Sequence, residues 1–362
     1  MESFLSEPRA PSDPTAVRTD ADPASSSLGV PRIAVVGCGQ WGQNHARTLA
    51  SLKALAAVVD HHEGRARAMA EAYGVGEMRF EDVLGSERID GVVLALPPHA
   101  HADHACRVLA AGKHLLVEKP IALTLADGER VVETAARANK VAMTGHVLRY
   151  HPAFERLLAM VEDGALGRIG YMHAHRTGLG RFHTDNDVLW DVGPHDLSLI
   201  MAIAGAAPVR VHGEGVSVLD GLSDFAHLHL EFASGLNAHI FDSRLSPDRD
   251  RRLTVIGDKA MMVFDDMAPW ERKLALYRHR VWRRPSDDRW AFETADPVYQ
   301  PIAQDLPLTR QCRHFLDCIA SGQAPRTPVA DGLAIVRVLS QGTVSHDREP
   351  MLFASGIGST AF

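Results

Sequence analysis

Cysteine is scarce in this chain of 362 residues: Cys38, Cys106, Cys312 and Cys318 are the only four, and no two form a CxxC pair. That scatter suggests neither a zinc site nor a disulfide framework, and free thiols in a reducing compartment are expected. No apolar run approaches the roughly 20 residues that a membrane span requires. Positive charge is not in excess either. Lys and Arg total 38 against 45 Asp and Glu, for a formal net charge of −7, so the basic surplus that attracts nucleic acid is missing. The 20 histidines contain no HExxH spacing, and no metal is expected. What remains is 46% hydrophobic and 23% charged, a globular composition with length for two domains. A cytoplasmic protein acting on a small molecule is the expectation.

Residues 1–30 are rich in Ser, Pro, Asp and Ala and lack the apolar core of a signal peptide, so they read as a disordered tail. Order begins at Arg32. The run Ile33-Ala34-Val35-Val36 is short, apolar and stopped by Gly37, as a buried parallel strand should be. Further apolar runs at 55–59, 91–96, 114–117 and 141–145 alternate with helical stretches at 41–52, 64–73, 101–111 and 125–139. That rhythm predicts βαβ units, a doubly wound parallel Rossmann sheet over 31–150.

Beyond Pro152 the texture changes. Helices are expected over 153–162 and from Trp190 to Ala204, followed by strands at 209–218, 225–232, 236–241, 253–256 and 260–264. Helices at 308–320 and 332–339 close the chain. Strands joined by short turns, such as Ala233-Ser234-Gly235, predict an α+β substrate and oligomerisation domain over 151–342 with a mostly antiparallel open sheet. Residues 284–305 read as a long surface loop, and 343–362 as a tail. His227, His229 and Glu231 share one strand face with Phe225, a face expected to meet a partner subunit rather than a metal.

Gly37-Cys38-Gly39-Gln40-Trp41-Gly42 is a GxGxxG that follows a predicted strand and opens a predicted helix, the context the motif requires. Gly37 permits the tight turn, Gly39 the approach of a pyrophosphate, and Gly42 helix–strand packing. Gln40 and Trp41 open the helix, whose free N–H groups favour phosphate. Asp60 ends the second strand, where an acid accepts from ribose hydroxyls. A carboxylate there favours NAD over NADP, although Arg65 and His61-His62 close behind leave NADP possible. Lys119, in Glu118-Lys119-Pro120, closes a strand on the sheet edge where ligands collect. It is placed to trade a proton with a substrate hydroxyl while a hydride moves. In Trp190-Asp191-Val192-Gly193-Pro194-His195, Asp191 and His195 project from one helix face as an acid–base or hydroxyl-binding pair.

GCGQWGQNH at 37–45, HADHACRVLAAGKHLLVEKP at 101–120 and DVGPH at 191–195 together resemble the Gfo/Idh/MocA oxidoreductases, over roughly residues 32–342. The resemblance implies a Rossmann domain followed by an α+β domain whose open sheet makes a homodimer or homotetramer. It implies that Lys119 is the catalytic lysine and that Asp191 and His195 line a sugar site. Pro98 and His101 match positions beside the cofactor, and Glu118 belongs to the same EKP segment. Two departures stand out: Leu96 where many relatives carry Thr, and Val147 where an Asn is frequent. Arg149 survives as a candidate for an anionic substrate.

WGQNHAR at 41–47 and DNDVLWDVGPHDLSL at 185–199 look most like members acting on nucleotide-activated sugars, often an N-acetylated hexose at C3. Arg176 and Arg181 are then candidates for a diphosphate. An inositol or free-sugar dehydrogenase of the same family is the alternative. A non-catalytic dinucleotide-binding regulator is the alternative of another class, and it has no need of the EKP and DxxxH residues.

Overall fold

The computed structural model describes residues 29–180, 187–219 and 222–342. Both expected tails, apart from residues 29–30, and the candidate Arg181 lie outside the described residues.

The first sheet is built as the apolar runs predict. Its strands are β1 (Ile33–Val36), β2 (Leu55–Val59), β3 (Gly76–Glu77), β4 (Gly91–Leu94), β5 (His114–Val117) and β6 (Ala142–Thr144). All pair in parallel in the order β3-β2-β1-β4-β5-β6. The intervening helices are α1 (Gln40–Ser51), α2 (Glu63–Tyr73), α3 (Phe80–Gly85), α4 (His101–Ala110) and α5 (Leu125–Ala138). Helix α4 shows why they sit on the sheet: Ala102, Ala105, Val108 and Leu109 fall on one stripe and are buried. Thr124 caps α5 by accepting from Asp127 N at 3.1 Å. The strand order reverses between β1 and β4, so the crevice beyond their C-terminal ends is where a ligand of this topology binds.

After α6 (Pro152–Glu162) the chain lays down β7 (Ile169–Leu179), α7 (Val188–Ala204), β8 (Arg210–Val216), β9 (Phe225–Glu231), β10 (Asn237–Ser243), β11 (Leu245–Gly257), β12 (Met261–Asp265) and β13 (Leu274–Tyr277). A hairpin of β14 (Arg280–Arg283) and β15 (Trp290–Glu293) and the short β16 (Val298–Tyr299) follow. The second sheet runs β16-β13-β12-β11-β7-β10-β9-β8 and is antiparallel except where β7 meets β10. Alternation decides its two faces. Met172, Ala174, Leu228, Leu230, Ile240, Leu253 and Val255 point inward and are 0–2% exposed, packed in one cluster with α6 and α7. Burying each of the larger ones is worth roughly 1.5–3 kcal/mol. Phe225, His227 and His229 occupy the alternate, outward positions, where His227 stacks on Phe241 at 4.6 Å and on His239 at 5.3 Å. Among the described residues no three His, Cys, Asp or Glu side chains converge as metal ligands.

Several features depart from the sequence expectations, which also lack β3, α3 and β13. The central strand β7 is absent from them, because its outward positions are Tyr171, His173 and His175 rather than apolar residues. Strand β11 begins at Leu245 instead of Leu253, its polar half being held by pairing with β7. The stretch 284–305 is not wholly loop: it contributes β15 and β16, while β14 just precedes it. The closing helices, α8 (Pro307–Ser321) and α9 (Val329–Gly342), also do more than finish the second unit. Cys312, Phe315, Leu316 and Cys318 of α8 join the core beneath Ile33, Val35 and Leu49, on one face of the first sheet. Val329 and Val336 of α9 join the core on its other face, and Ile335, Val338 and Leu339 enter that of the second sheet.

Candidate active site

The glycine-rich turn is shaped by close contacts. Gly37 sits at φ 97°, and a Cβ there would fall 2.4 Å from the Ala95 carbonyl oxygen. A Cβ on Gly42 would fall 1.7 Å from the Gly37 oxygen, so α1 could not start where it does. Gly39 differs: a methyl group built on it meets no atom within 4 Å. It is the N-cap of α1, and no side chain caps that terminus. The approach to the start of α1 is therefore open at Gly39, a cradle that fits the pyrophosphate of a dinucleotide.

Asp60, 4% exposed at its side chain, accepts from Cys38 N through Oδ2 (2.7 Å) and from His62 N through Oδ1 (2.8 Å). Burial opposes its charge, but those two donors hold the carboxyl below its ordinary pKa, helped by Arg65 at 3.8 Å. It thus ties the glycine turn to the end of β2. Burial and Asp60 push the Cys38 thiol up to about 11, so it stays protonated.

Lys119 leaves the end of β5 with 11% of its side chain exposed. Its Nζ donates to the Asp191 carbonyl at 2.6 Å and lies 3.7 Å from Asp191 Oδ1. Helix α7 brings this partner. Asp187 caps it by accepting from Trp190 N at 2.9 Å, so the DVGPH segment forms its opening turns. Gly193 lets α7 close on β10: a Cβ there would lie 3.2 Å from Asp242 Oδ2. Lys119, Asp191 and His195 line one cavity of about 510 Å³ with Gln40 and Trp41 of α1. Burial, then the charges of Lys119 and Arg176, push His195 well below the ordinary imidazole pKa. It faces the site as a neutral ring, one that accepts or donates a hydrogen bond.

A family profile described as "Oxidoreductase family, NAD-binding Rossmann fold" matches residues 31–146, and one for the GFO/IDH/MocA C-terminal domain matches residues 154–263. The chain belongs to the Gfo/Idh/MocA oxidoreductase family. A UDP-N-acetylglucosamine 3-dehydrogenase from Acidithiobacillus ferrooxidans is 28% identical over 310 residues, which is 85% of this chain and 94% of that protein. A myo-inositol 2-dehydrogenase from Thermotoga maritima is 29% identical over 253 residues, 65% of this chain and 75% of that one. Among solved structures, a putative oxidoreductase from Magnetospirillum magnetotacticum superposes with a TM-score of 0.76 at 28% identity, covering 87% of this chain and all of that one. The protein is accordingly an NAD-binding oxidoreductase with a Rossmann domain.

Several expected site residues are placed otherwise in this Gfo/Idh/MocA oxidoreductase. His101 is 1% exposed and lies between two backbone carbonyls, with Nδ1 2.7 Å from that of Pro120 and Nε2 2.8 Å from that of Leu96; a neutral ring donates to one of them. Burial pushes its pKa down against the pull of those carbonyls. It clamps the turn after β4, where Pro98 starts a 3-10 turn, to the loop after Lys119, so any effect on a cofactor passes through the backbone. Glu118, 6% exposed, turns inward to His45 instead of the crevice, its Oε1 accepting from His45 Nε2 at 2.7 Å. Arg149 does not line the cavity. Its guanidinium donates to the Ser198 carbonyl (3.4 Å) and pairs with Asp331 (3.7 Å), a strut between α7 and α9 rather than an anion site. Arg176 does line the cavity, but Asp196 takes it in a buried bidentate pair (3.0 and 2.8 Å), so its charge is already neutralised.

Two histidines escape the sequence reading. His45, on α1 and fully buried, is wedged between Glu118 and Cys312 Sγ (3.7 Å). Burial opposes its charge, yet the contacts to Cys312 and Glu118 raise its pKa to about 10. It shares the GQNH phrase with the glycine motif, and its fixed spacing from Gly37 was the available signal. His146 follows β6 directly on the ligand edge of the sheet, which was signal enough. It is 1% exposed with neither ring nitrogen hydrogen-bonded among the described residues, and burial, then Arg149 and Lys119, push it down to about 3.

Proposed function

We propose that this oxidoreductase interconverts a secondary hydroxyl and a ketone on a nucleotide-activated sugar, an N-acetylated hexose oxidised or reduced at C3. The observation that carries the reading is the convergence of Lys119, Asp191 and His195 in one cavity adjoining the uncapped terminus of α1. NAD, when bound there through Gly37, Gly39, Gln40, Trp41 and the Asp60–Arg65 edge, supplies a nicotinamide that takes or gives a hydride. The protein's own part is the proton. Lys119 Nζ, held by the Asp191 carbonyl, binds the reacting oxygen and donates or receives its proton. Neutral His195 either shares that proton or binds a neighbouring hydroxyl, and the Asp191 carboxylate orients the pair.

The nucleotide-sugar choice is supported by the Acidithiobacillus relative, whose alignment takes in more of the chain than that of the Thermotoga inositol enzyme. The inositol or free-sugar reading is kept because the Thermotoga relative is as identical where it aligns. The protein is further proposed to work in the cytoplasm as a homodimer or homotetramer joined through the outward face of the second sheet, around His227 and Phe241. The test is nicotinamide absorbance with NAD and NADP separately against UDP-N-acetylglucosamine, free hexoses and inositols. Turnover of the UDP-sugar is expected, lowered by about 10²–10⁴-fold in Lys119→Met. Turnover of inositol or free sugar alone would replace this reading with the alternative. Full activity of Lys119→Met would refute the mechanism.

A further inference from the structure

The inward face of β11 changes chemistry part-way along. Val255 and Leu253 are core residues, 0% and 2% exposed. Strand alternation then places Arg251 on the same face, and Arg249, in the bulged stretch before Asp250, joins it in lining the cavity that holds Lys119 and His195. On the neighbouring strand β7 the matching row reads Met172, Ala174, Arg176, Gly178, with Arg176 directly opposite Arg251. Gly178 leaves room for its neighbour: a Cβ there would touch Arg249 Cγ at 3.6 Å, so Arg249 lies across it.

These two arginines differ from Arg176 in having no counterion among the described residues. Asp196 is bound at both oxygens by Arg176, and Asp266 lies 3.6 Å from Lys273 Nζ and 3.8 Å from His151. Arg244, also on the cavity wall, is paired with buried Asp224 at 2.7 Å. Among the described residues neither Arg249 nor Arg251 has an ion-pair or hydrogen-bond partner for its guanidinium. Burial, then the charge of Arg176, pushes Arg251 down to about 10, which leaves it cationic at neutral pH. A partly buried cation without a partner is unfavourable. A ligand that brings the missing negative charge relieves it.

We infer that Arg251 and Arg249 bind the diphosphate of a nucleoside-diphosphate sugar whose hexose lies at Lys119 and His195. This rests on the nucleotide-sugar reading above. A diphosphate diester carries one negative charge on each phosphoryl group, matching the two guanidiniums, whose planar forks suit phosphoryl oxygens. The site belongs to β11 of the second sheet and is distinct from the cofactor's pyrophosphate cradle at α1.

Steady-state kinetics on the full-length enzyme test this, with Arg251→Met and the exposed Arg249→Ala. NAD binding and thermal unfolding confirm that each variant is folded. For UDP-N-acetylglucosamine, KM should rise about 10–100-fold in Arg251→Met, from the loss of a charged hydrogen bond, and less in Arg249→Ala. The effect should fall on KM for the sugar nucleotide and leave that for NAD in place. UDP should bind the wild type by calorimetry and weaken in parallel in both variants. If the wild type turns over UDP-sugar and both variants keep its KM, the arginine assignment is wrong and the broader reading survives. If the wild type ignores UDP-sugar and UDP but oxidises inositol or free hexose, the broader reading fails and takes this inference with it. Equal binding of N-acetylglucosamine 1-phosphate and UDP would overturn the diphosphate in favour of a single phosphoryl group.

Discussion

Gly39→Ala separates the folding role of the glycine turn from its binding role. Gly39 has φ −70° and ψ −168°, a conformation open to alanine, and the added methyl meets nothing within 4 Å. Two small effects on stability oppose each other. Alanine is a poorer N-cap than glycine by roughly 0.5–1 kcal/mol, while reduced freedom of the unfolded chain returns about 0.4–1 kcal/mol. The net should stay within about 1 kcal/mol, a Tm change of no more than roughly 4 °C. Binding has no such offset. The methyl stands where a pyrophosphate must approach the α1 amides, and losing one hydrogen bond to a charged group is worth about 1.5–3 kcal/mol. By that loss, NAD affinity should fall about 10–150-fold. Gly42→Ala is the contrast: its Cβ would lie 1.7 Å from the Gly37 oxygen, so backbone must move and roughly 1–3 kcal/mol of stability should go. NADH fluorescence titration beside thermal unfolding reads both quantities. A Gly39→Ala variant that binds NADH as tightly as the wild type would show that the pyrophosphate does not rest on α1.

Asp196→Asn strips the buried Arg176 of its carboxylate charge and should destabilise the protein by about 3–5 kcal/mol in denaturant unfolding; a loss below about 1 kcal/mol would mean the pair is not the anchor of that wall. His45 gives a pH signature. Its folded pKa, about 10, lies above the ordinary imidazole value of 6.5. Its stabilisation is therefore complete below pH 6.5 and disappears as pH rises through 10. The urea midpoint of wild type should approach that of His45→Gln across this window, and a constant gap between them would contradict a charged His45–Glu118 pair.

The first sheet was legible in the sequence because its strands are buried on both faces and read as unbroken apolar runs between glycines. Lys119 was legible because it follows a strand on the edge of the sheet where the topology concentrates ligands, and Asp191 and His195 because their spacing of four puts both on one face of a helix. The second sheet gave less away. Tyr171, His173 and His175 of β7 and the arginines of β11 carry polar side chains on strands whose identity comes from their neighbours. The diphosphate candidates show the same limit. Arg176, a candidate in the sequence, is paired with Asp196, whereas Arg251, which the sequence reading passed over, has no ion-pair or hydrogen-bond partner for its guanidinium among the described residues.

The path of α8 and α9 bears on how this protein is made. Phe315 and Val336 fill opposite faces of the sheet whose first strand is Ile33–Val36. On the ribosome, the dinucleotide-binding half must wait through the whole of the second sheet before its hydrophobic interior can close. A fragment ending near residue 150 would expose Ile33, Leu49 and Val131 surfaces that the intact chain covers. The two units are stitched together, because the polypeptide returns through α8 and α9 to pack on both sheets.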